Sequence, residues 1–385
     1  VCYKPKTKAI RGHFLHQSIN HILSPAFDRQ DEQFHRAFDL LRSGIAQHAF
    51  PGASIAIAHN GKRVAHKQLG HFTYDPGSPL VEPQTVYDLA SVTKVVATTP
   101  ACMILHERGQ LKLEQPLVEL LPAFAGDDSR RRRITLRMLL AHSSGLPAYV
   151  KLFQTAHNKD ELVRQALEVA LTADPGTRAE YSDIGFILLG EALERIKGEP
   201  LDRFCQREIF SRLSLSSLVF NPVCTPKEGE SSIPPTEDDS TFRKRVIQGE
   251  VNDENASVMG GVAGHAGCFS TALDVSVFAQ HMSLGGTPLV RPETLAIFTR
   301  REEFPSKTSR ALGWDTPSQP SQSGKYFSSR SYGHLGYTGT SLWIDPERQL
   351  SVTLLTNRTW PDRGSQLIKQ IRPAFHDAVI EAIET

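Results

Sequence analysis

The sequence contains no apolar run near the ~20 residues that a membrane-spanning helix needs; its longest, at 184–189, is far shorter. It has no excess charge of one sign, since 43 Lys and Arg face 42 Asp and Glu, for a net charge of +1. A polyanion such as nucleic acid is therefore not an expected partner, and a small neutral or zwitterionic molecule is. Cysteine is scarce: Cys2, Cys102, Cys205, Cys224 and Cys268 are scattered, with no Cys-x-x-Cys pair. That argues against a zinc ribbon or a thioredoxin-like centre and reads as buried, inert thiols. The 15 histidines show no metal-ligand spacing and no His-Glu-x-x-His, so neither metal nor cofactor is expected. Gly-x-Ser-x-Gly is missing too, which removes support for an α/β-hydrolase nucleophile elbow. No basic, apolar and small-residue leader opens the chain, whose first residue is Val1. A periplasmic or secreted location and a cytoplasmic one both stay open, as does the oligomeric state.

What is present is an ordered alternation of patterns. Residues 1–30 are basic and loosely patterned, with an amphipathic piece near 14–23. Phe34, Phe38, Leu41 and Ile45 recur at helical spacing and predict a helix over 31–49, ended by Pro51-Gly52. Residues 53–58 and 62–69 predict a hairpin, because Asn60-Gly61 suits a type I′ turn. Helices are expected over 95–105, 134–142, 160–172, 182–197, 201–209, 273–282 and 365–383, the seventh of them closing the chain. Thr271 and Asp274 have the spacing of a capping box. Strands are expected at 341–344 and 350–355, and surface loops at 222–241 and 318–331. The Arg130 to Arg133 cluster reads as a solvated loop. Strands at both ends of the chain around a helical middle predict a sheet assembled from the two ends, an α+β arrangement.

Three motifs carry chemistry. Ser91-Val92-Thr93-Lys94 is the chain's single Ser-x-x-Lys; at the start of a helix, i and i+3 lie on one face. A serine hydroxyl needs a neighbour to take its proton, and an amine can do so when burial lowers its pKa. Tyr181-Ser182-Asp183 opens an apolar helix, where a plain capping role is the alternative. Gly333-His334-Leu335-Gly336-Tyr337-Thr338-Gly339-Thr340 leads into a strand, and its glycines allow close approach of backbone and ligand.

Together and in this order these motifs resemble the serine β-lactamase superfamily, especially class C β-lactamases and family VIII carboxylesterases. Tyr87-Asp88-Leu89-Ala90, the stretch Leu139-Leu140-Ala141-His142-Ser143-Ser144-Gly145, Gly264-His265-Ala266-Gly267, Leu312-Gly313-Trp314 and Trp343-Ile344-Asp345-Pro346 agree with it. The resemblance spans about 39–357. It implies a β-lactamase/transpeptidase-like α+β fold, an antiparallel sheet flanked by helices with a mostly helical insertion. The expected units are an extension at 1–30, a sheet domain at 31–105 plus 255–385, and a helical domain at 106–254. It also implies that Ser91 forms an acyl-enzyme with Lys94 and Tyr181 as proton carriers. The amides of Ser91 and Tyr337 would form an oxyanion hole, beside His334, Gly336 and Asp183.

Class C enzymes carry an amide at the place of Asp183 and Lys-Thr-Gly at the place of His334-Leu335-Gly336. An aspartate and a mostly neutral histidine there should disfavour an anionic β-lactam. The expectation is thus a carboxylesterase acting on a small ester or amide, without cofactor or metal. A β-lactamase or D-peptide hydrolase, a penicillin-binding sensor that does not turn over, and an inactive binding module remain alternatives. A second alignment would use Ser182 with Lys307-Thr308-Ser309. Gly260 to Gly267 reads as backbone packing near the site, and Asp253 and Asn255 either as rim residues or as part of a solvated loop.

Overall fold

The computed structural model describes residues 24–222 and 232–384. The amphipathic piece near 14–23, Cys2, Cys224 and part of the 222–241 loop lie outside the described residues.

The centre is a sheet made from both ends of the chain. Strands β1 (Gly52–His59) and β2 (Lys62–Gly70) form the expected hairpin. Asn60 and Gly61 both have positive φ, 50° and 73°, as a type I′ turn requires. From the other end come β3 (Tyr332–Leu335), β4 (Ser341–Asp345) and β5 (Leu350–Thr356). The order is β2-β1-β5-β4-β3, all antiparallel, with the short strand Ser24–Pro25 added in parallel outside β2. The seam between the two ends is β1 against β5, in register from Ala53↔Thr356 to His59↔Leu350.

Side-chain alternation along the strands builds two cores. Ile55, Ile57, Val352, Leu354 and Trp343 face one side, where helices α1 (His35–Ala46) and α5 (Ile368–Glu384) supply Phe38, Leu41, Phe375 and Val379. Ala56, Leu342, Ile344 and Leu355 face the other, against α4 (Ala272–Ser283). The second core continues without a break into the helical region, through α2 (Thr99–Glu107) and α3 (Asp183–Lys197). Cys102, Cys205 and Cys268 are buried there as free thiols, their pKa values raised by burial.

Several expectations are corrected. The helix over 31–49 is two helices, Gln30–Gln33 and α1, separated at the buried Phe34. The helix over 160–172 is shorter, Lys159–Glu168, because Val169 turns to extended backbone. The described part of the 222–241 loop enters a two-stranded ribbon, Glu237–Asp239 with Arg245–Ile247. The Asp239 carboxylate closes its turn by accepting from the amides of Thr241, Phe242 and Arg243. Thr271 caps α4 by accepting from the Asp274 amide, but Asp274 does not return the bond. Its carboxylate instead accepts from the amide and hydroxyl of Ser217.

The arginine cluster is not a solvated loop throughout. It forms a tight turn, Ser129–Arg133, capped by Asp128, and Arg131 is only 6% exposed. Its guanidinium donates to the carbonyls of Phe124, Leu167, Glu168 and Val169, the last three at the end of a helix whose final carbonyls have no intrahelical donor. Arg131→Met should therefore destabilise the fold by about 2–3 kcal/mol, the penalty for leaving such buried groups unpaired. Urea denaturation measures it, and a loss below about 0.5 kcal/mol would mean that the carbonyls find other donors.

Candidate active site

The segment carrying Ser91 is held from several sides. Strand Tyr87–Asp88 pairs with Cys268–Ser270, which also pairs with Val219–Phe220, a small sheet that composition did not reveal. The buried Asp88 carboxylate accepts from the amides of Ala90 at 2.8 Å and Asn252 at 2.7 Å. Ala90 has φ of 47°, a conformation that costs a non-glycine residue about 1 kcal/mol and persists where the surroundings impose it. Ser91 then lies in a single 3₁₀ turn, Ala90–Val92, and Lys94 opens a π-helical turn, Lys94–Thr98, before α2. The expected regular helix from 95 is thereby corrected. Pro100 lacks an N–H and its ring would clash with the carbonyl of Val96 in a regular α-helix, so the widened turn accommodates it.

Ser91 and Lys94 still meet. The Lys94 side chain is fully buried, with Nζ 2.9 Å from Ser91 Oγ, 2.7 Å from Asp183 Oδ1 and 3.0 Å from the His265 carbonyl. Burial lowers its pKa, and the Asp183 carboxylate opposes that shift. Tyr181 donates to Ser91 Oγ at 2.7 Å, so the hydroxyl lies within hydrogen-bonding distance of both groups. Burial first, and Asp183 second, push the Tyr181 phenol well above its ordinary pKa. Behind it, His142 lies 4.7 Å from the Tyr181 ring between centroids, and its Nδ1 accepts from the Ser182 amide at 3.0 Å. That bond fixes a neutral ring with the proton on Nε2, and burial holds its pKa far down.

Local sequence explains the delivery of each partner. Ser182 caps α3 by accepting from the Gly185 amide while donating to the Pro147 carbonyl, which sets Tyr181 and Asp183 on either side of the helix start. Gly190 on α3 packs on Gly264, where a Cβ would lie 2.9 Å from the Gly264 nitrogen. This close approach brings the 264–266 backbone, and hence the His265 carbonyl, to Lys94.

The third motif forms the opposite wall. Gly336 allows the turn after β3 to press on the segment carrying Ser91, since a Cβ there would meet the Leu89 carbonyl at 2.5 Å. The Thr338 hydroxyl donates to the Asp88 carbonyl at 2.8 Å and the Thr340 hydroxyl to the Leu89 carbonyl at 3.0 Å. His334 is buried beside Tyr181, its Nδ1 2.8 Å from the Leu335 carbonyl. Burial, then the nearby Lys94 and Arg310, keep it neutral. Ser91, Tyr181, Asp183, His334, Gly336 and Tyr337 line one cavity of about 710 Å³.

Some expected roles change. Asp183 is not isolated on the cavity wall, since its Oδ1 lies 2.7 Å from Lys94 Nζ. Asn255 is not a rim residue: it is fully buried and bridges the Val150 carbonyl and the Phe153 amide. Asp253 lines the cavity but is engaged by His265 Nε2 at 2.8 Å. The alternative alignment fails because Ser182 is a buried cap, and Lys307 lies outside the residues lining the cavity. The arrangement can remove a serine proton and donate a phenolic proton.

Comparison with known proteins bears on the family and the fold. The family model described as Beta-lactamase matches residues 37–373. The chain belongs to the beta-lactamase family. Members of this family are serine hydrolases. The chain is 32% identical over 345 residues to an N-acetylmuramyl-L-alanine amidase of Bacillus subtilis (strain 168), covering 80% of this chain and 77% of that protein. It is 32% identical over 344 residues to a protein of Escherichia coli (strain K12) named "Putative D-alanyl-D-alanine carboxypeptidase", covering 80% and 79%. Among solved structures, EstCE1, a hydrolase with promiscuous acyltransferase activity, superposes with a TM-score of 0.73 at 20% identity, covering 91% and 99% of the two chains. A penicillin-binding protein homologue from Caulobacter crescentus gives 0.72 at 18% identity, covering 91% and 98%.

Asp88, His142, Arg310, Arg358 and Arg372 were not singled out by sequence reasoning for the beta-lactamase family site. His142 and Asp88 do sit within the motifs that carry the resemblance, whereas the arginines have no local signature. Asp88 yields a prediction. Burial raises its pKa from an ordinary ~3.9 to about 6. The folded state thus holds this proton more tightly than the unfolded one. Its stabilising contribution is complete below about pH 4 and is lost as pH rises through about 6. Asp88→Asn should flatten the fall in melting temperature between pH 4 and 7 relative to wild type, and equal slopes in the two proteins would contradict the assignment.

Proposed function

We propose that this beta-lactamase family protein hydrolyses a small ester or amide through an acyl-enzyme on Ser91, and that a carboxylesterase activity is its leading form. The observation that carries the reading is the placement of Ser91 Oγ within hydrogen-bonding distance of both Lys94 Nζ and Tyr181 OH. The opposite pKa directions of those two partners divide their roles. Burial favours a neutral Lys94, which takes the serine proton as Oγ attacks the carbonyl carbon. The phenol of Tyr181, held protonated, gives its proton to the leaving group. The resulting ammonium rests between Asp183 and the His265 carbonyl and returns a proton to the phenolate, which restores both groups. Deacylation repeats the sequence with water in place of the serine hydroxyl. The amides of Ser91 and Tyr337 receive the developing oxyanion, a contribution of roughly 3–4 kcal/mol per donor in related chemistry. We assign the sheet unit to 31–105 with 255–385 and the helical unit to 106–254, with this cavity at their junction.

A second reading, hydrolysis of a D-peptide or a muramyl amide, is favoured by the names of the two relatives at 32% identity. The same acyl-enzyme serves either substrate class.

Hydrolysis of p-nitrophenyl butyrate by wild type and variants tests the proposal. Ser91→Ala should lose turnover by about 10³-fold or more, with Lys94→Ala and Tyr181→Phe losing nearly as much because the three act as a unit. Ser91→Ala and Tyr181→Phe should keep the wild-type melting transition to within a few degrees. Wild-type turnover in Ser91→Ala would refute the assignment.

A further inference from the structure

Two basic side chains approach one aromatic ring in the Ser91 site. Lys94 Nζ lies 4.9 Å and the Arg310 guanidinium carbon 5.5 Å from the Tyr181 ring centroid. The amine of Lys94 can lose its proton when buried, whereas a guanidinium is a fixed positive charge. The hydroxyl of that same ring is 2.7 Å from Ser91 Oγ.

The backbone that carries Arg310 is held from several sides. Arg310 bridges Asp315 in antiparallel fashion, and Asp315 exchanges both backbone hydrogen bonds with Gly333, next to His334 on β3. Between them Gly313 donates to the Leu140 carbonyl at 2.9 Å, and it lies so close to α2 that a Cβ would collide with Thr99 Oγ1. The side chain is engaged far less. Its guanidinium makes no hydrogen bond among the described residues, and it lines the Ser91 cavity. Its ion pair with Asp315 Oδ1 is long, at 3.6 Å. That oxygen already accepts from the Ser309 hydroxyl at 2.8 Å and the Thr316 amide at 3.0 Å, so it offsets the guanidinium only in part.

The groups acting on Lys94 divide by sign. Burial disfavours an ammonium there, Asp183 and the His265-bound Asp253 favour one, and Arg310 disfavours it again. His142 and His334 lie 4.7 Å and 5.9 Å from the Tyr181 ring between centroids; burial holds both neutral, and Arg310 acts in the same direction. Two carboxylates thus draw Lys94 toward the form that is no base, and one fixed cation opposes them.

We propose that Arg310 is a positioning residue for the reaction at Ser91: its fixed charge against the Tyr181 ring offsets Asp183 and Asp253 and keeps the Lys94 amine free to take the serine proton. This rests on the reading of Lys94 as the base for Ser91. The same charge favours the phenolate that Tyr181 becomes when its proton passes to the leaving group.

The pH profile of kcat/KM for p-nitrophenyl butyrate tests the assignment. The ester is uncharged, so loss of an ionic contact with substrate cannot move the profile. Removing a cation makes Lys94 easier to protonate, which carries the acid limb to higher pH. Arg310→Met should raise that limb by about half a pH unit or more, as expected for one charge near a partly buried group. Arg310→Lys, which keeps the charge, should stay near wild type. The shift should persist in a His334→Asn background, where His334 cannot be the titrating group. Identical acid limbs in wild type and Arg310→Met would overturn the inference and leave the Ser91 reading standing. Equal shifts in the Met and Lys variants, or a shift that disappears with His334→Asn, would overturn it too. Where Arg310→Met lacks a wild-type melting transition, Arg310→Gln carries the same comparison. If the ester is not turned over, the limb is read from the rate of Ser91 phosphonylation by a fluorophosphonate. No adduct on Ser91 at any pH refutes that reading, and the inference with it.

Discussion

The buried Lys94 is the constraint on which the rest of the site depends. A lysine head with no solvent exposure is tolerated only when it has polar partners, and three are supplied from three separate regions of the chain: Ser91, Asp183 and the His265 carbonyl. Each partner requires its own scaffold. Asp183 needs the Ser182 cap, His265 needs the Gly190–Gly264 contact, and Ser91 is presented by the 3₁₀ turn Ala90–Val92 just ahead of Lys94. The same burial that makes the amine costly to charge is what suits it, on the proposed reading, to act as a base for the adjacent hydroxyl, so stability and chemistry act there in opposite directions.

Around this centre the protein imposes local strain and then supports it. Ala90 in a left-handed conformation sits between the Asp88 carboxylate, which receives its amide, and the turn after β3, whose two threonine hydroxyls hold the carbonyls of Asp88 and Leu89. The two walls of the cavity are thereby joined directly beneath the serine. The seam of β1 with β5 carries the same logic at larger scale, since it ties the strands of one chain end to those that bear His334 and Tyr337.

Much of this was legible in the sequence where a local rule fixes the answer. Asn60-Gly61 specified a hairpin because few residues adopt two positive φ angles in succession, and Ser182 specified a helix start because its oxygen serves free amides. Ser91, Lys94, Tyr181 and His334 could be selected because their motifs occur together. What escaped depends on relations between distant residues. Pro100 reshapes the turn of Lys94 through a clash one helical turn back. Arg131 looks like its exposed neighbours but answers the carbonyls of a helix about 40 residues on. Asp183 read as a free negative charge only until Lys94 was found beside it. Arg358 and Arg372 lie on a strand exit and a terminal helix, and only folding brings them to the cavity.

On the proposed reading, Ser91 is made nucleophilic by its buried neighbours. The most direct measurement is peptide mass spectrometry after reaction with a fluorophosphonate, on wild type and on Lys94→Ala. Stoichiometric modification of Ser91 in wild type, strongly slowed in Lys94→Ala, is the predicted result. No adduct on Ser91, or an equal rate of labelling without Lys94, would contradict the account.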